Sequence, residues 1–298
     1  MSTPASSGGM SGDLRSRLRV VAVVAPPGVV TMYLGGWYFA ALIVIVAAFT
    51  SREFYGLVAD EATRPLVWLG VPAAVLVVLF AALHPSFHHW GNRTISLLLL
   101  LGLLASGITI FDRKTKQPLL SATATVSGVL YTGVTLSFAL LLRHLPEARG
   151  APAEIPMEGF LLIMLPVAVT TLGDSAAYFV GRKVGRRRLA PKVSPGKTVE
   201  GAIGGLAGAV ITGFVLGLFM GDFENLVLSA PICAVIGLVL GIAGQLGDLS
   251  ESILKREAGV KDSGRLLPGH GGFLDRFDSL LFTTPLAYGL VLLAQVLA

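Results

Sequence analysis

Nine apolar stretches, each close to the length a helix needs to cross a lipid bilayer, decide what this chain can fold into. They cover residues 18–34, 36–52, 65–83, 94–111, 119–142, 157–180, 199–220, 225–247 and 277–297. A spanning helix needs roughly 20 apolar residues. Inside the hydrocarbon every backbone N–H and C=O has to be satisfied within the segment. The stretches therefore predict an all-α fold, a polytopic integral membrane bundle of nine transmembrane helices. Composition agrees, since 53% of the residues are hydrophobic and only 14% are charged, where a soluble domain carries about 25%.

Local signals punctuate this pattern. Pro26-Pro27 is expected to kink or break the first span, and Gly35-Gly36 suits a tight turn into the second. The single cysteine, Cys233, lies in an apolar run and reads as a small buried hydrophobe. Residues 1–17 are expected to be a flexible cytoplasmic tail, rich in Gly, Ser and Pro at its start. A basic segment followed by an apolar one is also the charge order of a signal peptide. A second apolar segment follows at once here, and no clear small-residue cleavage site intervenes. Residues 18–150 read as a scaffold and oligomerisation region and 151–298 as the catalytic region, because both large polar loops fall in the latter. No repeat links the two halves.

Basic side chains orient the bundle. Nine spans put the amino terminus and every even-numbered loop on one side, and 20 of the 23 Lys and Arg residues fall there. Only Arg93, Arg143 and Arg149 fall on the other. That bias makes the first side cytoplasmic. The net charge of +5 is thereby accounted for by short loops between spans, and nucleic acid is excluded as a partner. On the far side, His84, His88 and His89 gather around Trp90. They read as an interfacial loop, with a metal site as the alternative.

The chemistry concentrates at the cytoplasmic ends of the last four spans. Asp174 lies inside the sixth span, where an acid has to be paired, metal-bound or hydrated. Tyr178 and Arg182 follow it on much the same helical face. Arg186-Arg187-Arg188 reads as a patch facing anionic headgroups, with substrate binding as the alternative. Ser194-Pro195-Gly196-Lys197-Thr198 ends like a phosphate-binding P-loop, but Pro191 stands where that pattern needs glycine and no strand is expected before it. Ser194, Lys197 and Thr198 nevertheless sit where the seventh span begins, and a helix amino terminus attracts phosphate. Glu200 falls in its first turn, where a carboxylate suits the dipole.

The densest stretch runs from Asp248 to Asp278. Asp248, Ser252 and Lys255 share one helical face. Gly259, Gly264, Gly269, Gly271 and Gly272 break the helix beyond them, and Gly271-Gly272 can offer backbone N–H groups to an anion. Asp275 and Asp278 share a face as the last span begins. Hard carboxylates on two facing helices suit Mg²⁺, which takes one or two carboxylates together with substrate phosphates. A helix cap, or a salt bridge to Arg256 or Arg276, is the structural alternative for any one of these acids. His270 suits a metal ligand, a phosphate donor or a loop hydrogen bond equally.

These residues also resemble a known family. The run Ser252-x-Leu254-Lys255-Arg256, Lys261-Asp262-x-Gly264, Leu267-Pro268-x-His270-Gly271-Gly272-x-x-Asp275-Arg276-x-Asp278 is similar, at every signature position, to the signature of the phosphatidate cytidylyltransferases, or CDP-diacylglycerol synthases. The Asp174 and Ser194–Glu200 segments resemble further motifs, so the likeness is firm over residues 160–298. The resemblance implies that CTP and phosphatidic acid give CDP-diacylglycerol and pyrophosphate, with Mg²⁺, at the cytoplasmic face of the cell inner (plasma) membrane. It implies a homodimer, and a metal centre held by Asp248 and Asp275 that in the family can include K⁺ as a second ion.

On this basis Asp248 and Asp275 are the expected metal ligands, with Asp278 and Asp174 as further catalytic acids. Lys255, Lys261, Arg256 and Arg276 are expected to hold phosphates or the leaving pyrophosphate. Ser194, Lys197, Thr198, Ser252, His270, Gly271 and Gly272 complete the expected substrate contacts. Two non-enzymatic readings compete. A transporter would favour inverted repeats and a midplane site, whereas the charges here gather at one end. A lipid-binding scaffold would not need the intact aspartates. An enzyme joining CDP-linked lipids to alcohols would be expected to carry Asp-Gly-x-x-Ala-Arg, which is absent.

Overall fold

The computed structural model describes residues 25–112, 115–148, 150, 156–223, 226, 228–264 and 271–297. A helix stands at each of the nine apolar stretches. They are α1 (residues 25–34), α2 (Gly36–Val58), α3 (Val67–Leu83), α4 (Phe87–Phe111), the continuous run of α5 (Pro118–Gly128), a π-helical turn (Val129–Val134) and α6 (Thr135–Arg143), then α8 (Pro156–Val184), α9 (Val199–Met220), α10 (Ala230–Glu257) and α11 (Leu274–Leu297). A single turn, α7 (Leu145–Ala148), follows α6. Among the described residues, seven helices are long and apolar enough to cross a membrane, and α3 is a shorter apolar helix of 17 residues. The protein is an all-α polytopic membrane bundle.

Several helices outrun their apolar stretches. α4 begins at Phe87 and takes in His88, His89, Asn92 and Arg93, while α10 continues past residue 247 to Glu257. Hydropathy marks the part of a helix that lies in lipid, and the backbone hydrogen bonds continue beyond it. Pro26 and Pro27 stand in the first turn of the described helix 25–34, and the kink or break expected there involves residues 18–24, which lie outside the described residues. Gly35-Gly36 makes the expected tight turn into α2, with φ of 65° and 51°. There Arg143 donates from Nε to the Met32 carbonyl at 2.6 Å and from Nη2 to the Tyr33 carbonyl at 2.7 Å, capping the end of α1. The Gly36 N–H donates to His144 Nε2 at 2.9 Å. In the α2–α3 loop, backbone N–H groups of Thr63 and Ala62 hold the Asp60 carboxyl below its ordinary value.

Close backbone contact builds the second half. On α9, Gly201, Gly205 and Gly208 lie against α8, where an added Cβ would come within 3.0 Å of Ala177 or Ala176. Gly213 and Gly217, one turn apart further along, lie against Cys233 and Ala230 of α10. Small residues at four-residue spacing let membrane helices approach until their backbones touch. Cys233 is buried and free, as expected. In the first half the Tyr55 ring fills a slot between Gly70 and Gly128 and donates its hydroxyl to the Thr125 carbonyl at 2.7 Å.

The one sheet among the described residues is a two-stranded antiparallel hairpin, β1 (Arg188–Ala190) with β2 (Ser194–Thr198). The Ser194–Thr198 segment is thus a strand leading into α9. Thr198 caps α9 by accepting the Gly201 N–H at 3.1 Å. The Glu200 carboxylate, in that first turn, accepts the N–H groups of Arg186 at 2.9 Å and Arg187 at 3.2 Å, tying the hairpin to the helix. In the histidine cluster Ser86 Oγ meets His89 Nδ1 at 2.7 Å, and Trp90 is buried with its indole N–H on the Val77 carbonyl at 3.2 Å.

A Cβ at Gly213 would meet the Cys233 carbonyl oxygen, which cannot move without shifting α10, whereas Gly289 has open space. Gly213→Ala is expected to cost about 1–3 kcal/mol by overpacking, read as a lower melting temperature in detergent. Gly289→Ala is expected to leave it unchanged or raise it.

Candidate active site

The ends of α8 and α10 and the starts of α9 and α11 converge on one cavity of about 1000 Å³. It is lined by Asp174 of α8, by Ser194, Lys197 and Thr198 of the hairpin, and by Asp248, Ser252, Lys255 and Arg256 of α10. Lys261 and Asp262 of the following loop and Asp275, Arg276 and Asp278 of α11 complete that wall. Segments more than a hundred residues apart in the chain thus meet at a single mouth. Gly271 and Gly272 stand just behind the lining, and His270 lies outside the described residues.

Helix termini set these positions. α10 ends in a Schellman turn: the Val260 N–H bonds the Lys255 carbonyl at 2.9 Å and the Gly259 N–H bonds the Arg256 carbonyl at 3.1 Å, with Gly259 at φ 69°. The chain reverses directly after Lys255, so the loop returns across the cavity. Arg256 pins the hairpin to this corner, donating to the Val193 carbonyl at 3.1 Å and to the Val260 carbonyl at 3.2 Å.

Two lysines organise the carboxylates. Lys255 Nζ lies 2.6 Å from Glu251 Oε2 and 2.6 Å from Asp275 Oδ1, and all three side chains are largely buried. Lys197 Nζ lies 2.7 Å from Asp248 Oδ2, and Ser252 Oγ lies 3.4 Å from Asp248 Oδ1. Asp248, Glu251 and Asp275 therefore pair with lysines. Asp275 Oδ2 also accepts the Ser263 N–H at 2.9 Å, the Ser263 hydroxyl at 3.0 Å and the Gly272 N–H at 2.8 Å. The anion offered a backbone N–H by Gly272 is thus the protein's own carboxylate. Gly271, at φ 79°, keeps its place because a Cβ there would come within 2.7 Å of Asp275 Oδ2.

The donor set suits a hard divalent cation. Asp174, Asp248 and Asp278 lie close enough to interact electrostatically, with Lys197 and Lys255 as nearby cations. Among the described residues no three His, Cys, Asp or Glu side chains form a ready-made metal cage. Mg²⁺ does not require one, because substrate phosphates and water supply its other oxygens. Around this acidic patch the cavity carries eight Lys and Arg side chains against five aspartates, a balance suited to polyanions.

Several residues here lie beyond those expected to carry the site. Arg186 and Arg188 line the cavity, where the substrate-binding alternative for the arginine run would put them. Arg182 bonds the Tyr178 hydroxyl at 3.2 Å along the cavity wall. Glu251 is fully buried beneath the site. Its i, i+4 spacing to Lys255 was visible but outshone by the aspartates. Glu53 of α2 reaches Ser263 and the start of α11 from the opposite half of the chain, and nothing in its local sequence signals that.

Fold and site together define a membrane-embedded helical bundle whose basic and acidic side chains meet in one cavity at one end. Comparison with known proteins makes the class specific. The model of the cytidylyltransferase family matches residues 15–294, and the chain belongs to that family. It is 35% identical over 283 residues to the phosphatidate cytidylyltransferase of Synechocystis, covering 88% of this chain and 91% of that one. It is 34% identical over 278 residues to the phosphatidate cytidylyltransferase of Thermotoga maritima, covering 93% and 95%. A protein of Escherichia coli named only YnbB is 33% identical over 256 residues, covering 85% and 78%.

Lys255→Met would leave Glu251 buried without its ammonium. The change is expected to cost about 3–5 kcal/mol, read by thermal unfolding in detergent. Glu251→Gln in the same chain is expected to restore most of that loss.

Proposed function

We propose that this protein transfers the cytidylyl group of CTP to phosphatidic acid, giving CDP-diacylglycerol and pyrophosphate, at the cytoplasmic face of the cell inner membrane. The observation that carries the reading is the single cavity that brings together every described residue of the signature expected to touch substrate, apart from the two glycines behind its wall. Near-full-length similarity to proteins named for this activity supports it.

The nucleophile is a phosphate monoester, ionised near neutral pH, so the reaction needs little base catalysis. One lipid phosphate oxygen forms a bond to the α-phosphorus of CTP, and the bond to the pyrophosphate oxygen breaks. The obstacle is bringing two polyanions together, and positioning and charge neutralisation remove it. Lys197, Arg256, Lys261 and Arg276, with Arg186 and Arg188 beside them, are placed to receive phosphates. The first turn of α9, capped by Thr198, presents backbone dipole to the same space. Asp248 and Asp275 would hold Mg²⁺, with Asp278 and Asp174 as the neighbouring carboxylates, and K⁺ is the proposed second ion. The metal would supply Lewis-acid polarisation of phosphoryl oxygens. Binding it at Asp248 or Asp275 would compete with the Lys197 and Lys255 ammoniums, leaving those lysines available for phosphate. Tyr178 and Phe179 are exposed on α8 beside the cavity, which suits lateral entry of the lipid while CTP arrives from water. A homodimer is proposed for the working state.

Purified protein with phosphatidic acid, labelled CTP and Mg²⁺ is expected to release CDP-diacylglycerol and pyrophosphate in equal amounts. EDTA is expected to abolish both products, and Asp248→Asn and Asp275→Asn to reduce them by about 100-fold or more, a loss of the size that removing a principal electrostatic stabiliser produces. Folded wild-type protein that forms neither product across several lipids and nucleotides would overturn the reading.

A further inference from the structure

The loop Lys261–Gly264 has open space on both sides. The active-site cavity lies on one face, and a second cavity of about 850 Å³ lies on the other, with Glu53 and Ser263 in its wall. Asp262 lines both. Packing therefore does little to fix this segment, and its hydrogen bonds decide where it sits. They run from Ser263 to Asp275 and to Glu53 of α2, a buried carboxylate that no step above uses.

Glu53 Oε1 accepts the Phe273 N–H at 3.1 Å, and Oε2 accepts the Leu274 N–H at 2.8 Å and the Ser263 hydroxyl at 3.0 Å. A Cβ at Gly264 or Gly272 would run into the same carboxylate. The Ser263 hydroxyl is also 3.0 Å from Asp275 Oδ2. A hydroxyl has one proton, so it donates to one of the two carboxylates at a time. Asp275 is already held by two N–H groups and an ammonium. Glu53 thus governs both the serine that bridges to Asp275 and the first turn of the helix that carries it.

We propose that Glu53 is a positioning residue for the cation site: it clamps Ser263 and the start of α11 so that Asp275 faces the cavity in the geometry a divalent ion requires. The inference rests on the reading of a Mg²⁺-dependent cytidylyltransferase. It joins the half of the chain expected to be scaffold directly to the chemistry.

The test is Mn²⁺ binding to the purified full-length protein in detergent, followed by electron paramagnetic resonance, for wild type, Glu53→Gln and Ser263→Ala. Melting temperatures and the Mg²⁺ dependence of activity are measured alongside. The Glu53→Gln change keeps the side chain's size but turns an amide NH₂ toward groups that themselves donate. Both substitutions are expected to weaken Mn²⁺ binding by about 10-fold or more, the usual effect of losing a partner behind a metal ligand. The Mg²⁺ needed for half-maximal activity is expected to rise in parallel, with kcat at saturating Mg²⁺ changing less. Wild-type Mn²⁺ affinity in both variants, whatever their melting temperatures, would overturn the proposal. Should Glu53→Gln fail to fold, Ser263→Ala decides, because it leaves the bonds from Phe273 and Leu274 in place. A wild type that does not bind Mn²⁺ overturns the metal reading and this inference with it. A wild type that binds Mn²⁺ but makes no CDP-diacylglycerol overturns only the activity, and the variants' affinities still decide the role of Glu53.

Discussion

One ammonium, Lys255 Nζ, sits 2.6 Å from each of two buried carboxylates, Glu251 and Asp275, and the polar end of this apolar bundle depends on it. A carboxylate as buried as Glu251 is tolerable only with a close opposite charge. The contact also joins α10 to α11 across the loop between them. Lys255 is the residue whose carbonyl closes the Schellman turn, so the same position ends the helix and anchors the return of the chain. The loop between α10 and α11 is thereby tied at both ends to one side chain and its partners.

That charge cluster can form because α8, α9 and α10 approach very closely. In lipid there is no hydrophobic drive for apolar helices to associate, and contact dispersion has to hold them. The glycine rows of α9 remove the side chains that would keep backbones apart. They bring Asp174, Lys197 and Asp248, each from a different segment, to the same cavity. Lys197 pairs with Asp248, and Lys255 with Glu251 and Asp275, while Lys and Arg side chains outnumber aspartates around the cavity. The first half contributes more than support, since Glu53 reaches from α2 to the turn that begins α11.

Much of this was legible in the residues. Hydropathy put a helix at each of the nine stretches, because the bilayer imposes both length and backbone satisfaction on a span. Helical spacing put Asp248, Ser252 and Lys255 on one face, and Asp275 with Asp278 on another, and the cavity receives both sets. What was not legible is pairing. Nothing in the spacing says that Lys197 meets Asp248 while Lys255 meets Asp275, or that Gly272 donates to a carboxylate three residues along rather than to a ligand. The hairpin of Arg188–Ala190 with Ser194–Thr198 was missed because two short polar strands carry no hydrophobic alternation. Arg186 and Arg188 were read as facing headgroups because a basic run looks the same on either side of a cavity wall.

By itself, then, the sequence determined that this chain is a membrane bundle, which end carries the charge, and which family of phosphate chemistry that charge serves. Those properties follow from local rules: apolar length, the excess of basic residues in alternate loops, and short motifs on single helices. The tertiary structure decided which carboxylate each lysine neutralises, which glycines are needed for contact rather than for bending, and that a glutamate from the second helix bonds Ser263 and the start of α11. Those depend on distances between segments far apart in the chain, and such distances exist only once the helices have packed.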